Sequence, residues 1–413
     1  MRGIQMNRAD AAEQIVADLR ELAALTSDEN GAQRLSWTPT WQKATEWFRR
    51  RMEAAGAEVS MDAVGNIWAK FAGESEESVV VGSHIDSVPD GGWLDGALGV
   101  AAGMGYGAYC LAGKKPKKTL YVVGWVDEEG MAFGKSCFGS AVASGSMTAQ
   151  SAASLTTKDG RSFADVLRTC GLDGERIDAA REAFAARQVQ AYLELHIEQA
   201  PLLAQNKTSA ACVYGVCGCH REYITFTGQQ SHCGSPVALR RDAFLAAAEA
   251  TVDFNNIALK YGAYCTVGQV DVAPNVVTIS PGRCCISLDI RCIDEETFQT
   301  MIDEARAAYE GRGKEHGVSV AHDVIWHKEP VLFDETLKAL CRRAVQEETG
   351  RDAVMYSAPL HDAVEMVKAA PSIMMFVMSD PGISHCKEED TPEPALKEGI
   401  RAFLRLIEAV LGR

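Results

Sequence analysis

Four times along this chain a short apolar run stops at a histidine or a group of carboxylates. Ser78-Val79-Val80-Val81-Gly82-Ser83 leads into His84-Ile85-Asp86-Ser87, and Leu120 to Val126 leads into Asp127-Glu128-Glu129-Gly130. Gln190 to Leu195 runs into Glu194-Leu195-His196-Ile197-Glu198-Gln199, and Ser372 to Met378 is followed by Gly382-Ile383-Ser384-His385. Apolar runs of this length read as strands buried on both faces. Helical patterns fit between them, notably Gly99 to Ala112. Strands alternating with helices imply an α/β sheet covered on both sides. In such sheets ligands bind beyond the C-terminal ends of the strands, where all four clusters fall.

The flanking segments extend this frame. Arg8 to Leu25 and Trp41 to Ala55 have helical apolar spacing, and Val59 to Phe71 alternates around Gly65-Asn66 as a hairpin does. After Ala211 the pattern changes. Glu222 to Thr227, Thr266 to Val272 and Arg283 to Arg291 read as strands; Arg241 to Lys260 and Glu295 to Gly311 read as helices. This β-α-β-β-α order is a small α+β sandwich by itself. Glu335 to Glu348 and Glu393 to Leu411 then return to helices. The simplest organisation is one α/β catalytic domain, residues 1–211 and 328–413, interrupted by an inserted α+β domain, residues 212–327.

Charge narrows the partners. Lys plus Arg is 41 and Asp plus Glu is 56, a formal charge of −15. That field repels nucleic acid and anionic membranes, and the basic run Lys114-Lys115-Pro116-Lys117-Lys118 is short enough to be a solvated loop. No nucleic-acid or membrane partner is expected. Thirteen cysteines at irregular spacing suggest a reducing compartment rather than a disulfide framework. With no signal-peptide core in Met1 to Leu25, the expected location is cytoplasmic.

The clusters carry the chemistry jointly. A lone His-x-Asp such as His84 and Asp86 is also a common surface pair. Two residues apart in extended chain, however, Asp86 faces the same way and could take the second N–H of His84. Asp95 follows in Gly91-Gly92-Trp93-Leu94-Asp95-Gly96. Three adjacent carboxylates at 127–129 repel one another unless a cation or a proton intervenes. Imidazoles from three strand ends plus two carboxylates form the ligand set of a di-zinc site with an open position. Other motifs fail: there is no His-Glu-x-x-His, no Pro-Cys-x-x-Cys after His196-Ile197-Glu198, and no Gly-x-Ser-x-Gly. Gly103-Met104-Gly105-Tyr106-Gly107-Ala108 matches a dinucleotide fingerprint only loosely. Cys217-Gly218-Cys219 and Cys284-Cys285 lack zinc-finger spacing.

These residues resemble the hydantoinase/carbamoylase family of amidases, a branch of the di-zinc aminoacylase and carboxypeptidase superfamily. The resemblance rests on Gly82 to Pro89, Gly91-Gly92, Asp95-Gly96, Asp127 to Gly130 and Leu195 to Gln199. It continues in Ser231-His232-Cys233-Gly234, Arg240 to Ala243, Pro274 to Val277, Asp289-Ile290-Arg291, His361-Asp362-Ala363 and Gly382 to His385. It implies a di-zinc aminopeptidase-like catalytic domain with an inserted, ferredoxin-like lid and dimerisation domain. It further implies that His84, Asp95 and His196 hold one divalent ion, and that Asp95, Glu129 and His385 hold a second. The ions would be zinc, with manganese, cobalt and nickel also compatible. Glu128 would be the general base and Asp86 would orient His84. His232 would reach the active site of the other subunit of a homodimer. Asn275 and Arg291 would grip a substrate carboxylate, with Gln199 and His361 lining the site.

The chain departs from the family at Ala200, at Ala132-Phe133, in the shortened loop Cys233 to Val237, and in Ser357-Ala358-Pro359-Leu360. There Leu360 replaces a glycine close to substrate. The expected activity is hydrolysis of a linear C–N bond in a small carboxylate-bearing amide, an N-carbamoyl or ureido acid. An N-acyl amino acid deacylase or dipeptidase on the same fold is the enzyme alternative, and a silent metal-binding scaffold is the non-enzyme one.

Overall fold

Residues 5–413 are described by a computed structural model. The chain divides into two compact units. One runs to Gly215 and resumes over Phe333–Arg413; the other is Val216–Leu332.

The first unit is built on a sheet whose strand order is Ala210–Val216, Ser372–Val377, Val189–Ile197, Ser75–His84, Lys118–Trp125, Ile67–Phe71 and Glu58–Met61. The middle four strands, Ser372–Val377 to Lys118–Trp125, are mutually parallel. The strands outside them pair antiparallel. Val79, Val80, Val81, Leu193, Leu195, Met374 and Met375 are fully excluded from water, as strands covered on both faces require. Parallel strands place all their C-terminal ends at one edge, so His84, the residues after Trp125, His196 and the loop after Val377 emerge together.

Helices form where the apolar spacing repeats at three and four residues. Arg8–Thr26 is capped by Asn7, whose side chain accepts from the N–H groups of Ala9 and Asp10. Ala97–Gly105 packs against Ser75–His84 and then winds on as a π-helical turn, Tyr106–Leu111. The loose dinucleotide fingerprint therefore lies inside a helix and presents no phosphate loop. Glu335–Thr349 and Glu393–Leu411 complete the cover. The hairpin Glu58–Met61 and Ile67–Phe71 turns on Asp62, whose carboxylate accepts from the N–H groups of Val64, Gly65 and Asn66 and from the Trp68 indole. Among the described residues no helix is long and apolar enough to cross a membrane.

The second unit has the order β-α-β-β-α-β: Gly218–Thr227, Ala243–Tyr261, the short strands Tyr264–Thr266 and Val270–Ala273, both paired with the next strand, Arg283–Cys292, then Glu295–Glu315 and Ser319–Lys328. Its antiparallel sheet has Arg283–Cys292 and Gly218–Thr227 in the middle. Ile224, Phe226, Ile286 and Leu288 meet Ala246, Ala250, Phe254, Phe298 and Met301 of the two helices in one core. The last strand, Ser319–Lys328, has no counterpart in the sequence reading. It is an edge strand with most of its side chains in solvent, so the alternation that marks a half-buried strand is weak.

Candidate metal centre

His84 is the last residue of its strand, and its Nδ1 lies 3.1 Å from the main-chain oxygen of Asp86. His196, one residue before its strand ends, has Nδ1 3.0 Å from the main-chain oxygen of Ile197. A carbonyl accepts only, so each Nδ1 carries the proton and each Nε2 presents a lone pair. The two Nε2 atoms are 3.5 Å apart. Asp95 Oδ1 lies 3.4 Å from that of His84 and 3.1 Å from that of His196. Three buried lone pairs at these distances repel unless a cation or proton sits among them. The edges match those of a tetrahedral zinc ligand set, about 3.3 Å for ligands at roughly 2.0–2.1 Å.

The other oxygen of Asp95 serves a second set. His385 Nε2 lies 3.6 Å from Asp95 Oδ2 and 3.5 Å from Glu129 Oε2. One aspartate thus faces two three-residue groups whose donor atoms all lie within 4.8 Å of one another. The residues fit two divalent ions sharing a carboxylate. Gly96 makes the first set possible: its φ is +65°, and a Cβ there would sit 2.4 Å from the His84 ring.

Glu128 is buried, with Oε2 3.9 Å from His84 Nε2. Its Oε1 accepts from the Cys137 thiol at 3.4 Å. The loop carrying it is pinned by Asn66, which accepts from the Val126 N–H at 3.1 Å and donates to the Gly139 carbonyl at 3.2 Å.

Of the other expected residues, Asp86 is placed differently from its expected role. Asp86 does not orient His84 through its carboxylate: Oδ1 is 3.9 Å from Nδ1, and the main-chain oxygen takes that contact. The carboxylate instead accepts from the N–H groups of Glu128 and Glu129, at 3.3 and 3.4 Å, and so holds the acidic loop. Gln199 donates to Asp95 Oδ2 at 2.9 Å, while its Oε1 is buried with no hydrogen-bond partner among the described residues. The buried His361 packs edge-on to His196 with centroids 4.4 Å apart, and its Nε2 is 2.9 Å from Ser357 Oγ. Leu360 is half-buried in the loop beside it.

Within the second unit, His232 is exposed, and its Nδ1 accepts from the Gly234 N–H at 3.1 Å. Asn275 is exposed with φ +53°. Arg291 is already engaged, through Nε with Asp289 Oδ1 at 2.9 Å and through Nη2 with Oδ2 at 3.3 Å. Arg221 also binds Asp289, at 2.6 Å. Two guanidiniums on one carboxylate leave this trio a net positive charge.

Sequence reasoning missed Glu389. It accepts from the Asp95 N–H at 3.1 Å and from Ser384 Oγ at 2.5 Å, and Ser384 Oγ is also 3.2 Å from Asp95 Oδ2. The run Glu388-Glu389-Asp390 after His385 carried the same signal as residues 127–129. Burial, with the Asp95 charge adding, pushes Glu389 up to about 7.

The electrostatics are those of a site short of positive charge. Burial, reinforced by Glu129 and Asp362, holds Glu128 well above the ordinary 4.5. Burial, reinforced by Asp95 and Asp86, does the same to Glu129. For His196 burial is the largest influence and pulls downward. The hydrogen bond and charge of Asp95 outweigh it and lift the imidazole to about 9. His361 is held well below 6.5 by burial and by the neighbouring His196 charge.

The consequence for stability has a definite sign. The raised carboxylates stabilise the fold fully below about 4.5, and this is lost as pH rises through their folded values. His196 stabilises fully below 6.5 and loses this toward 9. His361 contributes only below 6.5, where charging the unfolded imidazole favours unfolding. Between pH 6.5 and 9 these groups therefore give only losses. The chelated protein should lose thermal stability across this window, and metal-loaded protein should hold it. Parallel melting curves with chelator and with a divalent metal would contradict this account.

The description "Peptidase family M20/M25/M40" matches residues 80–409. The chain is 31% identical to N-carbamoyl-L-amino-acid amidohydrolase of Paenarthrobacter aurescens over 97% of this chain and 98% of that protein. It is 29% identical to allantoate amidohydrolase of Escherichia coli, over 91% and 92%. Among solved structures, a hydantoinase/carbamoylase family amidase from Burkholderia multivorans superposes with a TM-score of 0.89 at 29% identity, covering 97% of this chain and 98% of that one.

Proposed function

This chain belongs to peptidase family M20/M25/M40, and on that footing we propose that it is a metal-dependent amidohydrolase cleaving a linear C–N bond of an N-carbamoyl or ureido acid. The observation that carries the reading is Asp95, whose two oxygens face two histidine-containing ligand sets. The relatives named for N-carbamoyl amino acids and allantoate support the substrate class.

His84, Asp95 and His196 would hold one ion, and Asp95, Glu129 and His385 the second. Zinc suits the histidine and carboxylate donors, and manganese, cobalt and nickel tolerate them. Bound there, two divalent ions lower the pKa of water toward neutrality and polarise the scissile carbonyl. Glu128 does the proton work. With Oε1 held by Cys137, its Oε2 accepts the proton of the attacking water and returns it to the leaving nitrogen. Asp86 keeps Glu128 and Glu129 in place through their backbone N–H groups. The unpartnered Oε1 of Gln199 suits an N–H donor of a ureido group.

The reading also assigns the second unit. Arg291, oriented by Asp289, and Asn275 would take the substrate carboxylate, since a guanidinium recognises carboxylates in a planar fork. His232 would polarise the carbonyl in the site of a second copy, making the enzyme a homodimer. Supporting this, Leu245, Val252 and Leu259 recur every seventh residue along Ala243–Tyr261 with 44%, 59% and 74% of their surface exposed. A second copy burying this stripe would relieve an apolar face. The thirteen cysteines are free thiols, which suits a cytoplasmic location.

Ammonia release from a series of N-carbamoyl amino acids and ureido acids tests the substrate class. Turnover restricted to N-acyl amino acids or dipeptides would replace it with the deacylase or dipeptidase reading. Within the series, Leu360 should limit side-chain size. Leu360→Gly should raise kcat/KM for the largest members by about tenfold, the scale of a small change in pocket volume. A wild type that already prefers large side chains would remove Leu360 from that role.

A further inference from the structure

Arg34 is the single lysine or arginine among the buried described residues, and it is completely excluded from water. Ten carboxylates of the same unit are also buried: Asp18, Asp86, Asp95, Asp127, Glu128, Glu194, Glu198, Asp362, Glu365 and Glu389. Arg34 sits directly behind the strand end that delivers His84. Its Nε donates to the Ile85 carbonyl at 3.0 Å. Its own N–H donates to Ser87 Oγ at 3.0 Å, and the Ser87 N–H returns a bond to its carbonyl at 3.2 Å.

The guanidinium is unusual in what it lacks. Its polar contacts go to neutral acceptors, Ile85 O and, at 3.5 Å, Thr26 Oγ1. Nη2 is buried with no hydrogen-bond partner, and among the described residues no carboxylate lies within ion-pair distance of it. A fixed charge in such a place is costly unless a nearby field of opposite sign offsets it. Burial is the strongest influence and pulls the Arg34 guanidinium below its usual range; the charges acting against it are, strongest first, Asp86, Asp95, Glu389 and Glu129. These four are the shared aspartate, Asp95, and three carboxylates around it.

We propose that Arg34 is the built-in counter-cation of the metal centre: it holds the carboxylates and the His84–Ser87 segment together when the divalent ions are absent, and it weakens the site's grip on those ions when they bind. It touches neither substrate nor metal ligand side chains, so it is a positioning residue. The inference rests on the metal-centre reading. A charge several ångströms behind the ligands stabilises a cluster of bare carboxylates more than one already neutralised by two divalent ions. A purely structural arginine would instead stabilise both forms alike through its Nε contact to the Ile85 carbonyl.

The test compares the full chain, chelated and zinc-loaded, as wild type, Arg34→Met and Arg34→Lys, by thermal unfolding and by zinc competition against a chromophoric chelator. Arg34→Met should lower the melting temperature of the chelated form more than that of the loaded form, so that the zinc-induced rise grows. Its zinc dissociation constant should tighten by about tenfold or more, as expected for removing a like charge near a divalent ion at an effective dielectric of roughly 20–40. Arg34→Lys keeps the charge and should keep the wild-type response. Equal losses in both forms with unchanged zinc affinity would overturn the proposal. If Arg34→Met folds only with zinc, the proposal is supported. If it folds in neither condition, Arg34→Lys decides: a wild-type zinc response supports the counter-cation role, and failure to fold overturns it. A wild type that shows no zinc-induced rise would overturn the metal-centre reading together with this one; a rise shared unchanged by Arg34→Met overturns this one alone.

Discussion

Glu128→Gln should yield a folded, metal-loaded protein whose kcat is lower by about 10²–10⁴, the usual contribution of a positioned general base. The substitution preserves shape and keeps an acceptor for the Cys137 thiol, which lies 3.4 Å from Oε1. It removes the proton acceptor at Oε2 without touching the ligand sets built on Asp95. Metal content and the circular dichroism spectrum should therefore match the wild type while turnover collapses. The same variant tests the assembly. Mixed with His232→Ala and allowed to exchange subunits, it should regain activity, because one site of each heterodimer then combines an intact Glu128 with an intact His232. Near-normal kcat in the metal-loaded single variant removes Glu128 from its role. Silent mixtures with proven exchange remove His232 from the neighbouring site.

Asp95→Asn should cost both ions at once. In the protein Asp95 faces His84 and His196 with one oxygen, and His385 with the other. The two imidazoles and their charge hold this carboxyl well below the usual range even though burial, the strongest single influence, pushes it up. It therefore stays ionised, as a ligand shared between two cations would have to. An amide keeps the shape and the contacts to Gln199 and Ser384 but brings no charge, and its nitrogen cannot accept. Elemental analysis after dialysis should show fewer than one ion per chain where the wild type keeps two, with hydrolysis at the assay background. A variant that still carries two ions would mean that the ligand sets do not depend on Asp95.

How far the site could be read from the linear chain differs residue by residue. His84, Glu128, Glu129, His196 and His385 stand out because each follows an apolar run, and parallel buried strands bring their ends to one edge. Once the strands are recognised, the convergence follows from sheet geometry, without knowledge of any individual contact. The helices Arg8–Thr26 and Glu393–Leu411 were equally legible, since their apolar period is regular. The edge strand Ser319–Lys328 was not, because exposure erases the alternation.

Contacts between distant segments lay beyond any local pattern. Glu389 meets Asp95 across 294 residues, and Gln199 meets it across 104. Asn66 reaches Gly139 across 73 and Arg34 reaches Ile85 across 51. Hydrogen bonds depend on where donors and acceptors lie in space, and only the packed tertiary structure brings these together. The same holds for Asp86: two residues from His84, it was legible as a partner, yet the bend after the strand turned its carbonyl to the imidazole and its carboxylate to the Glu128 loop. The sequence by itself determined which chemical groups reach the sheet edge, because periodicity and burial are written locally. Tertiary structure alone decided which of them face one another, which hold a neighbouring loop and which lie buried without a partner, because those arrangements depend on differences of a few tenths of an ångström between segments far apart in the chain.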